Sequence, residues 1–138
     1  MPTDTTSDAH DGAYELMVER AFIAQHYLTV PDPEPPEGEV HSHRFTLEVE
    51  FVADELGEYG YLVDITEVEA LLDDVEARYR DALLNDLPEF EGRNPSVERF
   101  AAVVCDRFCE ALSDGNPDGV TVRIWEDDLA WASRRRAI

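Results

Sequence analysis

The sequence contains no lysine: all 11 of its basic residues are arginine, set against 32 aspartates and glutamates for a net charge of −21. So negative a surface repels nucleic-acid phosphates and anionic lipid headgroups, which argues against both as partners. Cysteine is scarce too, limited to Cys105 and Cys109. These fall four apart in a predicted helix, on one face, and a reducing cytosol leaves them as thiols packed in the core. No apolar run approaches the roughly 20 residues of a membrane span, and the acidic, polar N-terminus lacks the pattern of a secretion signal. These absences together predict a cytoplasmic protein.

What is present argues for a folded chain. Hydrophobic residues make up 43% of the sequence and recur in clear periods, so the acid excess does not read as disorder. Carboxylates keep a protein soluble under strong ionic screening, and the composition predicts a halophilic cytoplasm. The 138 residues suffice for one domain with a real core. Residues 1–12 are polar and aperiodic and are expected to be a flexible acidic tail, in which His10 carries no role. The domain is expected to occupy residues 13–138.

Three of the four histidines lie between Ala21 and Phe51. From His41 onward the residues alternate, with His41, His43, Phe45, Leu47, Val49 and Phe51 on one parity and Ser42, Arg44, Thr46, Glu48 and Glu50 on the other. That is a half-buried strand, so His41 and His43 stand side by side on its core face. The preceding segment alternates through Leu16, Val18, Phe22, Ala24, His26 and Leu28, with Arg20 breaking the parity. The proline-rich stretch between the segments cannot be regular strand. If the two strands pair antiparallel, His26 converges with His41 and His43. Three neutral imidazoles with one position left open form the ligand set of a catalytic zinc site.

The first strand is predicted over Tyr14–Val30 and the second over His41–Ala53. A helix follows, with Val68, Leu71, Leu72, Val75, Tyr79 and Leu83 at helical spacing. Asp64 can cap it, or Thr66 with Glu69 as a capping box. A second helix is predicted over Pro95–Ser113 with Asn94 as N-cap, burying Val97, Phe100, Ala101, Val104, Phe108 and Leu112. Two final strands, one over Val120, Val122 and Ile124 and one near Trp131, are joined by a hairpin at Trp125–Asp128. The order ββααββ predicts an α+β fold: a four-stranded antiparallel sheet with two helices on one face.

With these motifs placed, the chain resembles the 6-pyruvoyl-tetrahydropterin synthase and 6-carboxy-tetrahydropterin synthase family over nearly its whole length after the tail. The residues carrying the resemblance are His26, then His41 and His43, Asp64 with Ile65, Leu84 to Asp86, Asn94 to Ser96 with Glu98, and Glu126 with Asp127. Their order and spacing carry it; no single motif does. The resemblance implies the tunnelling fold, in which trimers join their sheets into a barrel and two trimers stack into a homohexamer with active sites between subunits. It implies zinc held by His26, His41 and His43, a pterin ring anchored by Glu126, and Ser96 near that ring in place of a threonine. A carboxylate suits the anchoring role because it accepts paired hydrogen bonds from a guanidine-like ring edge.

The chain also departs from the family pattern. The cysteine that precedes the histidine pair in synthases acting on dihydroneopterin triphosphate is missing, and Glu37 and Glu39 occupy its neighbourhood. The histidine expected before Leu84 is missing as well, leaving Asp81 as the plausible acid there. Ser42 replaces a glycine, Arg44 an asparagine and Asp127 a threonine. A carboxylate near a cation-polarised hydroxyl can act as general base, so Glu37 or Glu39 is expected in that role; the alternative is that both are solvated loop acids. The expected activity is that of a zinc-dependent, lyase-type pterin synthase acting on 7,8-dihydroneopterin triphosphate or a related pterin, toward deazapurine-modified tRNA bases or folate. The rival readings are a pterin-binding or regulatory homologue without turnover, and an oligomer whose histidines pack without metal.

Overall fold

The computed structural model describes residues 13–138, so the predicted tail lies outside the described residues. Strand β1 (Tyr14–His26) runs into β2 (His41–Ala53), followed by helices α1 (Ile65–Tyr79) and α2 (Val97–Ala111) and strands β3 (Gly119–Glu126) and β4 (Ala130–Ala137). The four strands form one sheet in the order β1-β2-β3-β4, and each neighbouring pair is antiparallel. This is the expected ββααββ architecture, with α1 against β1 and α2 over β3 and β4.

The alternation read from the sequence decides which face is covered. Phe45, Leu47, Val49, Phe51 and Ala53 of β2 are buried, as are Val120, Val122 and Ile124 of β3. They meet Val68, Leu72 and Val75 of α1 and Phe100, Ala101, Val104 and Phe108 of α2 in one core. Arg20, the residue that breaks the β1 pattern, stands opposite Leu47 on the core parity. It reaches the rim of α1, donating to Asp73 Oδ1 and Glu76 Oε1, both at 2.9 Å. The guanidinium thus keeps its charge paired while its stem covers apolar surface.

Several boundaries differ from the sequence reading, each for a local reason. Strand β1 stops at His26 rather than Val30, because side-chain amides take over the next backbone groups. Tyr27 N–H donates to Asn85 Oδ1 at 3.0 Å and Asn85 Nδ2 donates to Tyr27 O at 2.9 Å, while Thr29 N–H donates to Asn94 Oδ1 at 2.8 Å. Asn94 is therefore not the cap of α2. Ser96 is, accepting from Arg99 N–H at 3.1 Å. Asp64 caps α1 by accepting from Thr66 N–H at 2.9 Å, which places Thr66 inside the helix. Helix α1 ends at Tyr79, and Asp81, at φ 59°, turns the chain so that Leu84 rather than Leu83 is fully buried.

Phe100 centres the core beneath the histidine end of the sheet. It is fully buried and meets Phe22, Phe45, Tyr79 and Phe90 edge-on, with centroid separations of 6.3, 5.2, 5.1 and 6.0 Å. Edge-to-face pairs of this kind add to the area they bury. The one polar tip of the cluster is satisfied: Tyr79 Oη donates to Glu89 Oε2 at 2.6 Å. Glu89 also takes two bonds from Arg78, both at 2.6 Å, which with Tyr79 hold its carboxyl down to about 2. Cys105 and Cys109 are buried free thiols, and burial, reinforced by Cys109, pushes Cys105 up to about 12. Among the described residues no helix is long and apolar enough to cross a membrane.

Two outcomes follow from this packing. Phe100→Ala is expected to destabilise the chain by about 3–5 kcal/mol, measured by denaturant unfolding. Glu89 is depressed from 4.5 to about 2, so its contribution is full above pH 4.5 and is lost as pH falls toward 2. Glu89→Gln is therefore expected to be less stable than wild type at neutral pH, by about 1–3 kcal/mol. Thermal melts across that range should show the gap closing on acidification.

Candidate metal centre

The β1–β2 register pairs His26 with His41 and Ala24 with His43. His26, His41 and His43 share the core parity at the open end of the sheet, and their rings lie 4.7, 5.3 and 4.8 Å apart, centre to centre. One ligand nitrogen from each falls within 4.8 Å of the other two. Phe45 forms the floor, 5.9 Å from both the His26 and the His43 ring. Geometry alone makes this a cluster of three donors; the opposite ring nitrogens make it a ligand set.

Each Nδ1 is already engaged. His26 Nδ1 bonds Pro95 O at 2.8 Å, His41 Nδ1 bonds Glu39 O at 2.7 Å, and His43 Nδ1 bonds Asp127 Oδ2 at 2.6 Å. A backbone carbonyl has no hydrogen to give and neither has an ionised carboxylate, so each ring donates through Nδ1–H, and a neutral ring so held carries its lone pair on Nε2. That is the tautomer a metal needs, fixed by partners outside the ligand set. His26 is only 2% exposed. Burial, working against the Pro95 bond, lowers its pKa below the usual 6.5, so at neutral pH the ring is uncharged and able to ligate.

These partners arrive from separate places in the chain. Pro95 immediately precedes the Ser96 cap of α2, and Glu39 ends the proline-rich loop two residues before His41. Asp127 follows β3 in the turn to β4, at φ 53°. It is clamped to β2, since Arg44 N–H donates to Asp127 Oδ1 at 2.9 Å and Asp127 N–H donates to Arg44 O at 2.8 Å. Asn85 and Asn94 hold the chain just beyond His26 through the bonds to Tyr27 and Thr29. Three imidazole nitrogen donors, each oriented by an acceptor at Nδ1, fit a zinc ion.

The other sequence candidates divide. Glu126 comes to the centre: its Oε2 lies 3.7 Å from His26 Nε2 and 3.9 Å from His43 Nε2, and the side chain is 31% exposed. Glu37 and Glu39 are exposed in the loop, where their backbone carbonyls are engaged, Glu37 O accepting from Leu28 N–H at 2.7 Å and Glu39 O from His41. The Ser96 hydroxyl is engaged as the α2 cap. Asp81 stands apart from the histidines within one chain, in a surface hollow with Asp73, Glu76, Ala77 and Arg80, its backbone N–H bonded to Ile23 O at 2.7 Å. Arg44 is exposed on the opposite parity from the histidines. The sequence reading gave no role at the centre to Asp127, Asn85 or Asn94. The available signal was their place in the family motifs, and the partner of each is set by long-range register.

Known proteins resemble this chain in sequence and in shape. The family model described as 6-pyruvoyl tetrahydropterin synthase matches residues 15–137. A protein of Archaeoglobus fulgidus, named provisionally as a 6-carboxy-5,6,7,8-tetrahydropterin synthase, is 29% identical over 99 residues, covering 72% of this chain and 78% of that protein. A structure of Plasmodium vivax 6-pyruvoyltetrahydropterin synthase superposes with a TM-score of 0.73 at 13% identity, covering 91% of this chain and 99% of the other. A variant of that protein carries alanine in place of a glutamate described as a catalytic residue. The Caenorhabditis elegans 6-pyruvoyl tetrahydropterin synthase gives 0.72 at 16% identity, over 91% and 96% of the two chains. At such identities the structural likeness speaks for the fold, and the match over residues 15–137 speaks for the lineage. The chain belongs to the 6-pyruvoyl tetrahydropterin synthase family.

Proposed function

We propose that the chain is a zinc-dependent pterin synthase acting on 7,8-dihydroneopterin triphosphate or a related pterin. The observation that carries this reading is the set of three imidazoles whose Nδ1 atoms are all tied to oxygen acceptors, with one ligand nitrogen of each within 4.8 Å of the others. His26, His41 and His43 would hold the zinc, which when bound supplies a Lewis acid to polarise a side-chain hydroxyl or carbonyl of the substrate. Glu126, beside the imidazoles, anchors the ring by accepting paired hydrogen bonds, and the Ser96 segment lines the same end of the sheet. The proton is taken by Glu37 or Glu39 of the loop that leads into His41. The glutamate described as catalytic in the Plasmodium vivax protein supports giving a carboxylate this role.

The reading includes an assembly of trimers stacked into a homohexamer. Among the described residues, β4 pairs only with β3 and the Tyr14 end of β1 pairs only with β2, so both present open edges. The antiparallel order brings Glu15 and Glu19 of β1 to the same end of the sheet as Arg134, Arg135 and Arg136 of β4. A second copy can therefore extend the sheet, with Arg135 on the same face as Glu15 and Glu19, and open edges of this kind call for a partner. Asp81, beside β1, would then face a neighbouring subunit. The acid-rich, lysine-free composition suits the working protein to a cytoplasm of molar salt.

A second reading has a specific observation behind it: Glu37 and Glu39 are exposed and Asp81 lies apart, as in a homologue that binds pterin without turning it over. One assay separates the two. Metal-loaded protein in molar potassium chloride is incubated with dihydroneopterin triphosphate and every pterin product is identified by mass spectrometry. A 6-carboxy, 6-pyruvoyl or 6-hydroxymethyl product is expected, with zinc bound at one per chain. His41→Ala should lose zinc and turnover together, and Glu37→Ala or Glu39→Ala should lower kcat by roughly 100- to 10,000-fold. Unchanged substrate from folded, zinc-loaded protein would overturn dihydroneopterin triphosphate as the substrate and turn the reading to the binding protein or to a different pterin.

A further inference from the structure

Of the three imidazoles, His43 alone is tethered by a carboxylate; His26 and His41 use backbone carbonyls. The His26 side chain is 3% exposed and is held by the packing around it, whereas His43 is 21% exposed at the rim. At the rim, packing alone does not choose which ring nitrogen carries the proton; the hydrogen-bond partner does. Asp127 supplies the hold through three bonds. Its Oδ2 meets His43 Nδ1 at 2.6 Å, its Oδ1 accepts from Arg44 N–H at 2.9 Å, and its N–H donates to Arg44 O at 2.8 Å. Both oxygens and the backbone of one residue are thus fixed against β2. The register explains the reach, because Glu126 pairs with Phe45, so the next residue comes level with Arg44, adjacent to His43.

We propose that Asp127 is the positioning residue of the metal centre, holding His43 in the Nδ1–H tautomer with Nε2 bare toward the metal. The proposal deepens the zinc reading above and rests on it for the consequence on affinity. It does not rest on it for the tautomer. A carboxylate accepting from a ligating imidazole also raises the basicity of the ligand nitrogen, and losing such a partner costs about 10- to 100-fold in metal affinity. A threonine at this position, as in the family pattern, would offer a hydroxyl rather than two charged acceptors.

Asp127→Asn is the discriminating substitution. Asparagine tolerates a positive φ, so the turn at 53° is kept. Arg44 N–H demands an acceptor, which takes the single amide oxygen; the amide NH2 then faces His43 Nδ1, where it can only donate. The ring must answer by accepting at Nδ1 and carrying its proton on Nε2, the nitrogen a metal requires bare. Two readouts are taken on the same preparations: zinc affinity by competition with a chromophoric chelator, and the His43 nitrogen shifts of the zinc-free protein by NMR at about pH 8.5, above the ordinary imidazole range.

The expected result is a zinc affinity about 10- to 100-fold weaker in Asp127→Asn, with His43 switching from the Nδ1–H to the Nε2–H form and the zinc-free melting temperature unchanged. Asp127→Gly, which also accepts positive φ, should lose affinity to a similar degree and leave His43 as a mixture of tautomers, so the test survives if the asparagine variant folds poorly. An unchanged tautomer in Asp127→Asn overturns the proposal, whatever the affinity does. Zinc affinity equal to wild type with a switched tautomer overturns it too, since His43 would then not depend on Asp127 to ligate. If the wild-type chain binds no zinc, the metal reading falls by that measurement, and the nitrogen shifts still decide whether Asp127 sets the ring.

Discussion

The pairing of β1 with β2 is the constraint on which the rest depends. In that register Phe22 lies opposite Phe45, Arg20 opposite Leu47 and His26 opposite His41. Because side chains alternate along a strand, a slip of β2 by one residue would turn its core side chains and two of the three histidines to the other face. The hydrophobic pattern that fixes the core therefore fixes the histidine cluster as well. Phe45 shows the coupling most directly: it packs on Phe100 below, at 5.2 Å, and on the rings of His26 and His43 above.

Orientation is a separate matter from proximity, and here it is supplied by segments far away in sequence. Pro95 lies 69 residues from His26 and Asp127 lies 84 from His43, while Glu39 is a near neighbour of His41. The acceptors come from the start of α2, the end of a loop and a turn between strands. Pro95 is in place once α2 has docked on the sheet and Asp127 once β3 has paired with β2, so a fold that brings the rings together also positions these acceptors. A cluster of histidines without such partners would sample both ring forms, and part of its free energy of metal binding would go into choosing one.

Elements with a strong local period were legible in the sequence. The β2 bounds, the two helices and their buried stripes agree with the structure, and so does the meeting of His26, His41 and His43. What local pattern could not give were positions decided by contacts at long range. The sequence between His26 and Val30 keeps a strand-like composition, but the amides of Asn85 and Asn94 claim its backbone. Asn94 looked like a helix cap for the same reason it serves as a bridge: its side chain readily satisfies backbone N–H groups. Asp127 stood in the sequence only as the match to a family threonine beside Glu126, in a chain with 32 acidic residues, and only the β2–β3 register sets it against His43. Ser96, expected near a bound ring, is engaged first as a cap.

The central claim is that three imidazole Nε2 atoms, preset by Pro95, Glu39 and Asp127, make one zinc site in a chain otherwise crowded with carboxylates. X-ray absorption at the zinc edge, on wild-type protein loaded with a single zinc per chain, tests it most directly. The expected spectrum shows three imidazole nitrogens at about 2.0–2.1 Å with one oxygen ligand, and multiple scattering from the rings. A first shell made of carboxylate oxygens, or one containing sulfur at about 2.3 Å from Cys105 or Cys109, would contradict it.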